Sequence, residues 1–287
     1  MSTYDDLVIT SAANPRLRAL VALRRRRTRE ETGTTLVEGH EELTLALDAG
    51  VVPREAYVCP ELFSPAGMAG SQDIGRQDDL VARLRSAGTE VVHLGRAAFE
   101  KVAYREGPDG LLAVVDAVGQ PVRALSVGRS DLVLVAQGVE KPGNLGAMLR
   151  TADAAGCQAV VAADPVTDWG NPNVVRASKG TVFSVPLGAG STRETLDWLQ
   201  GNGIRLVVTT PETSTLHTDI SYRGRVAIAV GSEKHGIDET LLAAADERVR
   251  IPMHGQANSL NVSVSAAVVL YEAVRQRSSR QPRSIPG

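Results

Sequence analysis

Residues 251–274 read IPMHGQANSLNVSVSAAVVLYEAV. The second half has the apolar content of a buried helix, predicted over Val262 to Arg277. The first half sets a run of amides and hydroxyls in front of it, with Ser259 and Asn261 at the predicted helix start. Such side chains cap a helix, hold a ligand, or do both. For either residue taken singly, capping is a sufficient explanation.

Two other segments share its place in the predicted topology. From Asp131 onward, apolar strands alternate with helices: DLVLVAQGV, NLGAMLRTADAAG, CQAVVAAD, RETLDWLQGNG, IRLVVTT, RVAIAVGSE, ETLLAAAD and ERVRIPM. This alternation implies an α/β fold with a mostly parallel sheet covered on both faces. Such sheets bind ligands beyond the carboxyl ends of their strands. GVEKPGNLG (138–146), GSEKHG (231–236) and IPMHGQANSLN (251–261) each follow a strand and converge on that edge. Asn144 is expected to cap the helix after the first strand, while Gly143 and Gly146 admit a ligand or a second backbone. Arg150, six residues on, projects from a different helical face. Taken one at a time, Arg150 reads equally well as a solvated surface charge, and Glu233 reads better as one.

The first hundred or so residues form a second, smaller α/β layer. A helix is predicted over Pro15 to Arg29 with Asn14 as its cap, and another over EELTLALDAG, closed by Gly50. TTLVEG, EAYVCP, EVVHL and LLAVVDA read as strands, DDLVARLRSAG as a helix, and SPAGMAGSQDIG as a mobile loop. VGQPVRALSVGRSD interrupts the pattern. The expected division is 1–118, a linker at 119–130, a second domain at 131–277, and a flexible tail at 278–287.

Composition narrows the class. The 287 residues are 43% hydrophobic, enough for two packed domains. Cys59 and Cys157 are the only cysteines and show no metal-ligand spacing, and the five histidines show none either. No metal is expected. The N-terminus lacks the pattern of a signal peptide, and no apolar run is long enough to span a bilayer, so a reduced, cytoplasmic protein without a membrane partner is expected. Net charge is −2, yet basic charge is clustered. PRLRALVALRRRRTREE carries Arg16, Arg18, Arg24, Arg25, Arg26, Arg27 and Arg29, and Lys101, Lys141, Lys179 and Lys234 are the only lysines. Arginine grips phosphate bidentately and stacks on bases, so the cluster points to nucleic acid, against the alternative of a solvated helix face.

Common nucleotide motifs are absent. GVEKPGN has the glycine spacing of a P-loop, but Asn144 and Leu145 stand where Lys and Ser/Thr are required. GNGIRL precedes a strand and lacks a third glycine, which removes the dinucleotide fingerprint and with it a dehydrogenase reading.

Together the three loop segments resemble the signature motifs of the SpoU family of RNA ribose 2′-O-methyltransferases, within the SPOUT superfamily. The resemblance rests on Asn144, Gly146 and Arg150; on Gly231, Ser232 and Glu233; and on Ile251, Pro252, Met253, Ser259, Leu260, Asn261 and Ser263. VVRASKGTVFSVPL, with Arg176, Ser178 and Gly180, resembles the family's intervening segment. ITSAANPRLRAL, LVEGHEEL and YREGPDGLLAVV resemble the small L30e-like substrate-binding domain found in many members.

The resemblance implies a deep C-terminal trefoil knot and a homodimer paired through the knotted domain. It implies S-adenosylmethionine as cofactor, held by Thr210, Gly231, Ser232, Ile251, Met253, Leu260 and Asn261. It assigns catalysis to Arg150, Asn144, Glu233, Ser259 and Asn261, with Arg150 either as base or as a phosphate ligand that lowers the hydroxyl's pKa. It implies RNA binding by Arg16, Arg24, Arg25, Arg26, Arg27, Arg176 and Lys179. Two-domain members of this layout modify 23S rRNA, and the chain also resembles resistance enzymes that methylate a uridine ribose, such as those acting against avilamycin. The alternatives are the same chemistry on tRNA and a non-enzymatic ribosome-binding protein. GSEKHG departs from the family pattern, with Lys234 and His235 where smaller residues are common, at the expected mouth of the pocket.

Overall fold

The structure, a computed structural model, describes residues 7–11, 13–63, 76–128, 131–256 and 258–278. The loop expected at 64–75 and the tail beyond 278 lie outside the described residues. The chain forms two compact units: Met1–Val118 with Asp168–Phe183, and Gly119–Thr167 with Ser184–Gly287.

The first unit runs β1 (Val8–Ile9), α1 (Pro15–Ala22), α2 (Arg26–Thr32), β2 (Thr34–Glu38), α3 (His40–Asp48), β3 (Glu55–Val58), α4 (Arg76–Ser86), β4 (Glu90–Leu94), α5 (Arg96–Val102) and β5 (Leu111–Asp116). Its sheet has the order β1-β4-β3-β5-β2, with β5 antiparallel to both neighbours. Leu17 and Leu20 of α1 and Phe99 of α5 pack on Leu36, Tyr57, Val92 and Leu112 of the sheet. Asn14 caps α1 as expected, its side chain accepting from Arg16 N at 2.8 Å.

The helix predicted as continuous to Arg29 breaks after Ala22, with Arg25 in an extended conformation before α2. The break frees the carbonyls of Leu23 and Arg24, which accept from Arg29 Nη1 at 2.9 and 3.0 Å. Arg29 is thereby turned inward, only 4% exposed, and its guanidinium pairs with Asp168. Helix α5 carries no strong sequence signal and was not predicted.

The second unit runs β6 (Gln120–Pro121), β7 (Leu132–Gln137), α6 (Pro142–Ala154) and β8 (Ala159–Ala163). The segment Asp168–Phe183, with α7 (Pro172–Ala177), then packs with the first unit. There Thr35 Oγ1 donates to the Gly170 carbonyl, and a Cβ at Gly180 would stand 2.5 Å from Leu45 Cβ. The chain continues as β9 (Leu187–Gly190), α8 (Thr192–Gly201), β10 (Arg205–Thr209), β11 (Val226–Val230), α9 (Glu239–Ala243), β12 (Glu247–Val249) and α10 (Val262–Ser278). The seven strands lie in the order β12-β10-β11-β7-β8-β9-β6, and every pairing is parallel. The stretch expected as a linker supplies β6 and two core residues, Val122 and Leu125. Its apolar side chains fill the core beside Trp198, whose Nε1 donates to Leu125 O at 3.1 Å.

Candidate active site

The carboxyl ends of β7 and β11 are adjacent because these strands pair directly, Val230 opposite Ala136. Strand β11 is buried throughout, as its VAIAV run requires. Gly231 follows it where no side chain fits: a Cβ there would overlap the backbone of Gly236 and Ile237. Ser232 and Gly236 exchange both backbone hydrogen bonds at 3.0 Å, and His235 N donates to Ser232 Oγ at 3.1 Å. This tight loop presents Glu233 at its outer side.

Asn144 was expected to cap α6. The helix instead begins at Pro142, with Lys141 as its N-cap, and Asn144 lies inside the first turn. Proline at the first helical position has no N–H to lose there and its φ suits the start. The Asn144 side chain is thus released from capping. Its Nδ2 donates to Glu233 Oε1, and its Oδ1 accepts from Asn261 Nδ2 at 3.2 Å. Asn261 also caps α10, since its Oδ1 accepts from Ser263 N at 3.0 Å and Ser263 Oγ at 2.6 Å. The polar run before α10 therefore serves the helix and the loop cluster together.

Beside this network lies a cavity of about 240 Å³. Thr210, Gly231, Ser232, Ile251, Met253 and Leu260 all line it, as do Glu233 and Ser259. Sequence reading missed Thr209, whose Oγ1 is buried at the cavity with no hydrogen-bond partner. Its signal was present: a threonine pair at the end of an apolar strand. Arg150 is not brought into the network. It is exposed on α6 and makes no hydrogen bond or ion pair among the described residues.

The arginines expected to meet RNA divide into two groups. Arg24 donates to Ala103 O at 2.7 Å, capping the end of α5, and its guanidinium lies 5.3 Å from the Tyr104 ring centroid. Arg16 pairs with Glu90 at 2.8 Å. Arg26 and Arg27 pair with Glu30 and Glu31, both at 2.7 Å, in exposed i,i+4 bridges that cost little to exchange for phosphate. Arg25 is exposed. Arg176 and Lys179 lie on and just beyond α7, with Lys179 Nζ 2.7 Å from Glu41 Oε2. Among the described residues no group of His, Cys, Asp or Glu could hold a metal ion, and no helix is long and apolar enough to cross a membrane.

Residues 131–271 match the SpoU rRNA Methylase family, and residues 14–113 match the MRM3-like substrate binding domain. The chain is 31% identical to the 23S rRNA (guanosine(2553)-2'-O)-methyltransferase RlmP of Bacillus subtilis, across 92% of this chain and 97% of that one. This chain belongs to the SpoU rRNA methylase family. Another relative, the 23S rRNA (uridine(2479)-2'-O)-methyltransferase of Streptomyces viridochromogenes, is 29% identical over 93% of this chain and 91% of its own. A crystal structure of an RNA 2'-O ribose methyltransferase superposes with a TM-score of 0.79 at 41% identity, covering 95% of this chain and all (100%) of that one. The SpoU methyltransferase AviRb from Streptomyces viridochromogenes, in complex with the cofactor AdoMet, gives a TM-score of 0.82 at 27% identity, covering 93% and 100%.

Proposed function

We propose that the chain transfers a methyl group from S-adenosylmethionine to a ribose 2′-hydroxyl of 23S rRNA. The observation that carries the reading is the Glu233–Asn144–Asn261 network, which ties the first turn of α6 to the loops after β11 and β12 beside a cavity that Glu233 lines. The cavity suits the cofactor. Aliphatic side chains from Ile251, Met253 and Leu260 offer apolar walls, and the unpartnered Thr209 Oγ1 offers a polar contact that the fold itself leaves unmet.

S-adenosylmethionine, when bound, supplies a methyl group on a sulfonium. The protein supplies position. Holding the reacting atoms in line is worth ~7–11 kcal/mol of such a barrier. Glu233 and Asn144 orient the ribose side of the pocket, with Asn261 fixing Asn144, while Thr210, Gly231, Ser232 and Ser259 shape the cofactor side. Arg150 is assigned to the RNA phosphate next to the target ribose. A guanidinium is not deprotonated in proteins, whereas its charge lowers the pKa of a nearby hydroxyl. Its freedom from partners among the described residues leaves it available for this bidentate grip.

The finer parts of the reading are a homodimer, the trefoil knot, an L30e-like first domain, cytoplasmic location, a uridine target and resistance to an antibiotic such as avilamycin. The dimer is supported by the outward face of α10, where Val264 and Tyr271 are 46% and 50% exposed. Ribose chemistry does not itself require a particular base. The test uses labelled S-adenosylmethionine and unmodified 23S rRNA with wild type and Arg150→Ala. Ribose label at one nucleotide, lost in the variant, supports the reading and identifies the base. Label only on tRNA moves the substrate, and no cofactor binding sinks the enzymatic reading.

A further inference from the structure

The first unit holds a recess of about 430 Å³ that the methyl-transfer site does not use. Its lining has both signs of charge: His40, Glu42, Asp109, Arg105, Arg176 and Lys179 all face it. Asp109 is occupied structurally, accepting from His40 N at 2.8 Å and from Leu111 N at 3.3 Å. Glu42 is different. It is only 4% exposed, yet its carboxylate has no donor among the described residues except its own backbone N–H. Burial pushes its carboxyl above the ordinary range.

The space in front of Glu42 is kept open by the backbone. Gly39 has φ 111°, and a Cβ there would lie 2.5 Å from Glu42 Oε2 and 3.1 Å from Arg105 Nη1. A narrow slot bordered by Tyr104, Arg105 and Arg176 adjoins the recess. At its end the second buried carboxylate, Glu38, accepts from Tyr104 N at 2.5 Å through Oε2, while Oε1 has no partner. On the other side stands Lys179, a non-glycine residue at φ 51°. A left-handed residue with a side chain costs energy and is kept where its placement matters. Its exposed bridge to Glu41 is of the kind that yields readily to a stronger anion.

A buried carboxylate acceptor stands in one recess with cations held only by exposed or long contacts, Lys179 to Glu41 at 2.7 Å, Arg105 to Asp109 at 3.7 Å and Arg176 to Asn173 at 3.3 Å. This mixture disfavours simple ligands. A bare phosphate would be repelled by Glu42, and a bare cation by Arg105 and Arg176. The ligand must carry a donor edge and an anion together, as one nucleotide does. Among the bases, guanine presents two adjacent donors, N1–H and N2–H, that match a carboxylate. Uracil presents one N–H flanked by carbonyls, which a carboxylate repels. RNA readers take such bases from unpaired, splayed-out nucleotides.

We propose that this recess holds one unpaired guanosine nucleotide of the RNA substrate, with the Glu42 carboxylate accepting from the base and Lys179 and Arg176 taking its phosphate. The proposal rests on the RNA-methyltransferase reading above and adds a sequence-reading subsite outside the methyl-transfer site.

The test uses the full chain titrated with guanosine 5′-monophosphate and uridine 5′-monophosphate, by saturation-transfer NMR. Methyl transfer, S-adenosylmethionine binding and thermal melting are followed on the same samples. Wild type binds the guanosine nucleotide roughly tenfold more tightly than the uridine one, the scale of one good base-edge pair. Glu42→Gln abolishes that preference, and Lys179→Ala weakens both nucleotides alike. Equal affinities in wild type, or a preference that survives Glu42→Gln, overturns the proposal. Should Glu42→Gln not fold, the wild-type ratio and Lys179→Ala decide. Indifference to the base with methyl transfer intact removes the recess alone. Loss of S-adenosylmethionine binding with the preference intact removes the enzymatic reading alone.

Discussion

Asn261 Nδ2 lies 3.2 Å from Asn144 Oδ1, a hydrogen bond between residues 117 apart in the chain. Asn144 in turn donates to Glu233, so one amide side chain joins the loops after β7, β11 and β12. Asn144→Ala is expected to leave Glu233 and Asn261 without that partner and to lower kcat about 10²-fold or more, the scale of losing a positioned polar group in an active site. Arg150→Ala is expected to lose kcat on a similar scale. Both variants should bind S-adenosylmethionine within a few-fold of wild type by calorimetry. A variant that loses cofactor affinity and keeps kcat would place the residue in the cofactor pocket instead.

Gly231 and Gly143 make a controlled pair. A methyl group on Gly231 would overlap backbone, which cannot move aside as a side chain can, whereas Gly143 has nothing within 4 Å of its Cβ position. Gly231→Ala is expected to cost about 1–3 kcal/mol and to weaken cofactor binding by displacing the Ser232–Gly236 turn. Gly143→Ala, in the first turn of α6, should leave stability unchanged or raise it by up to about 1 kcal/mol. Chemical denaturation measures both. Equal effects at the two glycines would mean that the turn tolerates the overlap.

The parallel sheet was legible because its strands are uninterrupted apolar runs, and the three loops were legible because each follows one. Asn144 was read as a cap because asparagine before a helix usually is one. Pro142 starts the helix and moves the cap to Lys141, three residues before Asn144, and no local rule weighs a long-range partner such as Glu233. The break at Arg25 was invisible for a similar reason: Pro15 to Arg29 contains no glycine or internal proline, and the inward-turned Arg29 that accompanies the break pairs with Asp168, far along the chain. Strand β9 was missed because LGAG lacks β-branched residues and is held only by its neighbours. The recess around Glu42 had no sequence signature, since it needs residues from α3, the loop before β5 and the α7 segment at once.

The arginine cluster separates into structural and solvent-facing members. Arg29 is 4% exposed and bridges Asp168 with two further bonds to carbonyls. Arg29→Ala leaves the half-buried Asp168 carboxylate and the Leu23 and Arg24 carbonyls without this donor and is expected to cost about 1–3 kcal/mol. The Arg27 side chain is 89% exposed, so Arg27→Ala should change stability by less than about 0.5 kcal/mol. It should instead weaken RNA binding and reduce the slope of log affinity against log salt by about one unit. An unchanged salt slope would show that Arg27 faces solvent without touching RNA.

Cys59 and Cys157 are both free and buried. Desolvation pushes the Cys157 thiol up to about 12 and also raises Cys59. Since the thiolate is the reactive form, neither should react with an aromatic disulfide reagent at pH 8 in the native state. Both should react on denaturation. Rapid native labelling of one thiol would show that its region opens.

Glu42 gives a stability prediction with a definite sign. Burial holds its carboxyl above the ordinary glutamate range, so between the unfolded and folded values the native state keeps a proton that the unfolded chain has lost. The unfavourable contribution is absent below the ordinary value of ~4.3 and grows as pH rises through the folded value. Glu42→Gln removes it while keeping the shape. The variant should therefore melt above wild type at pH 7.5, and the gap should close by pH 4. Stability lost at neutral pH would mean that the carboxylate is satisfied within the fold. A gain would fit a carboxylate retained at some cost to stability because a ligand meets it, since a functional site is where a fold tolerates a poorly satisfied buried charge.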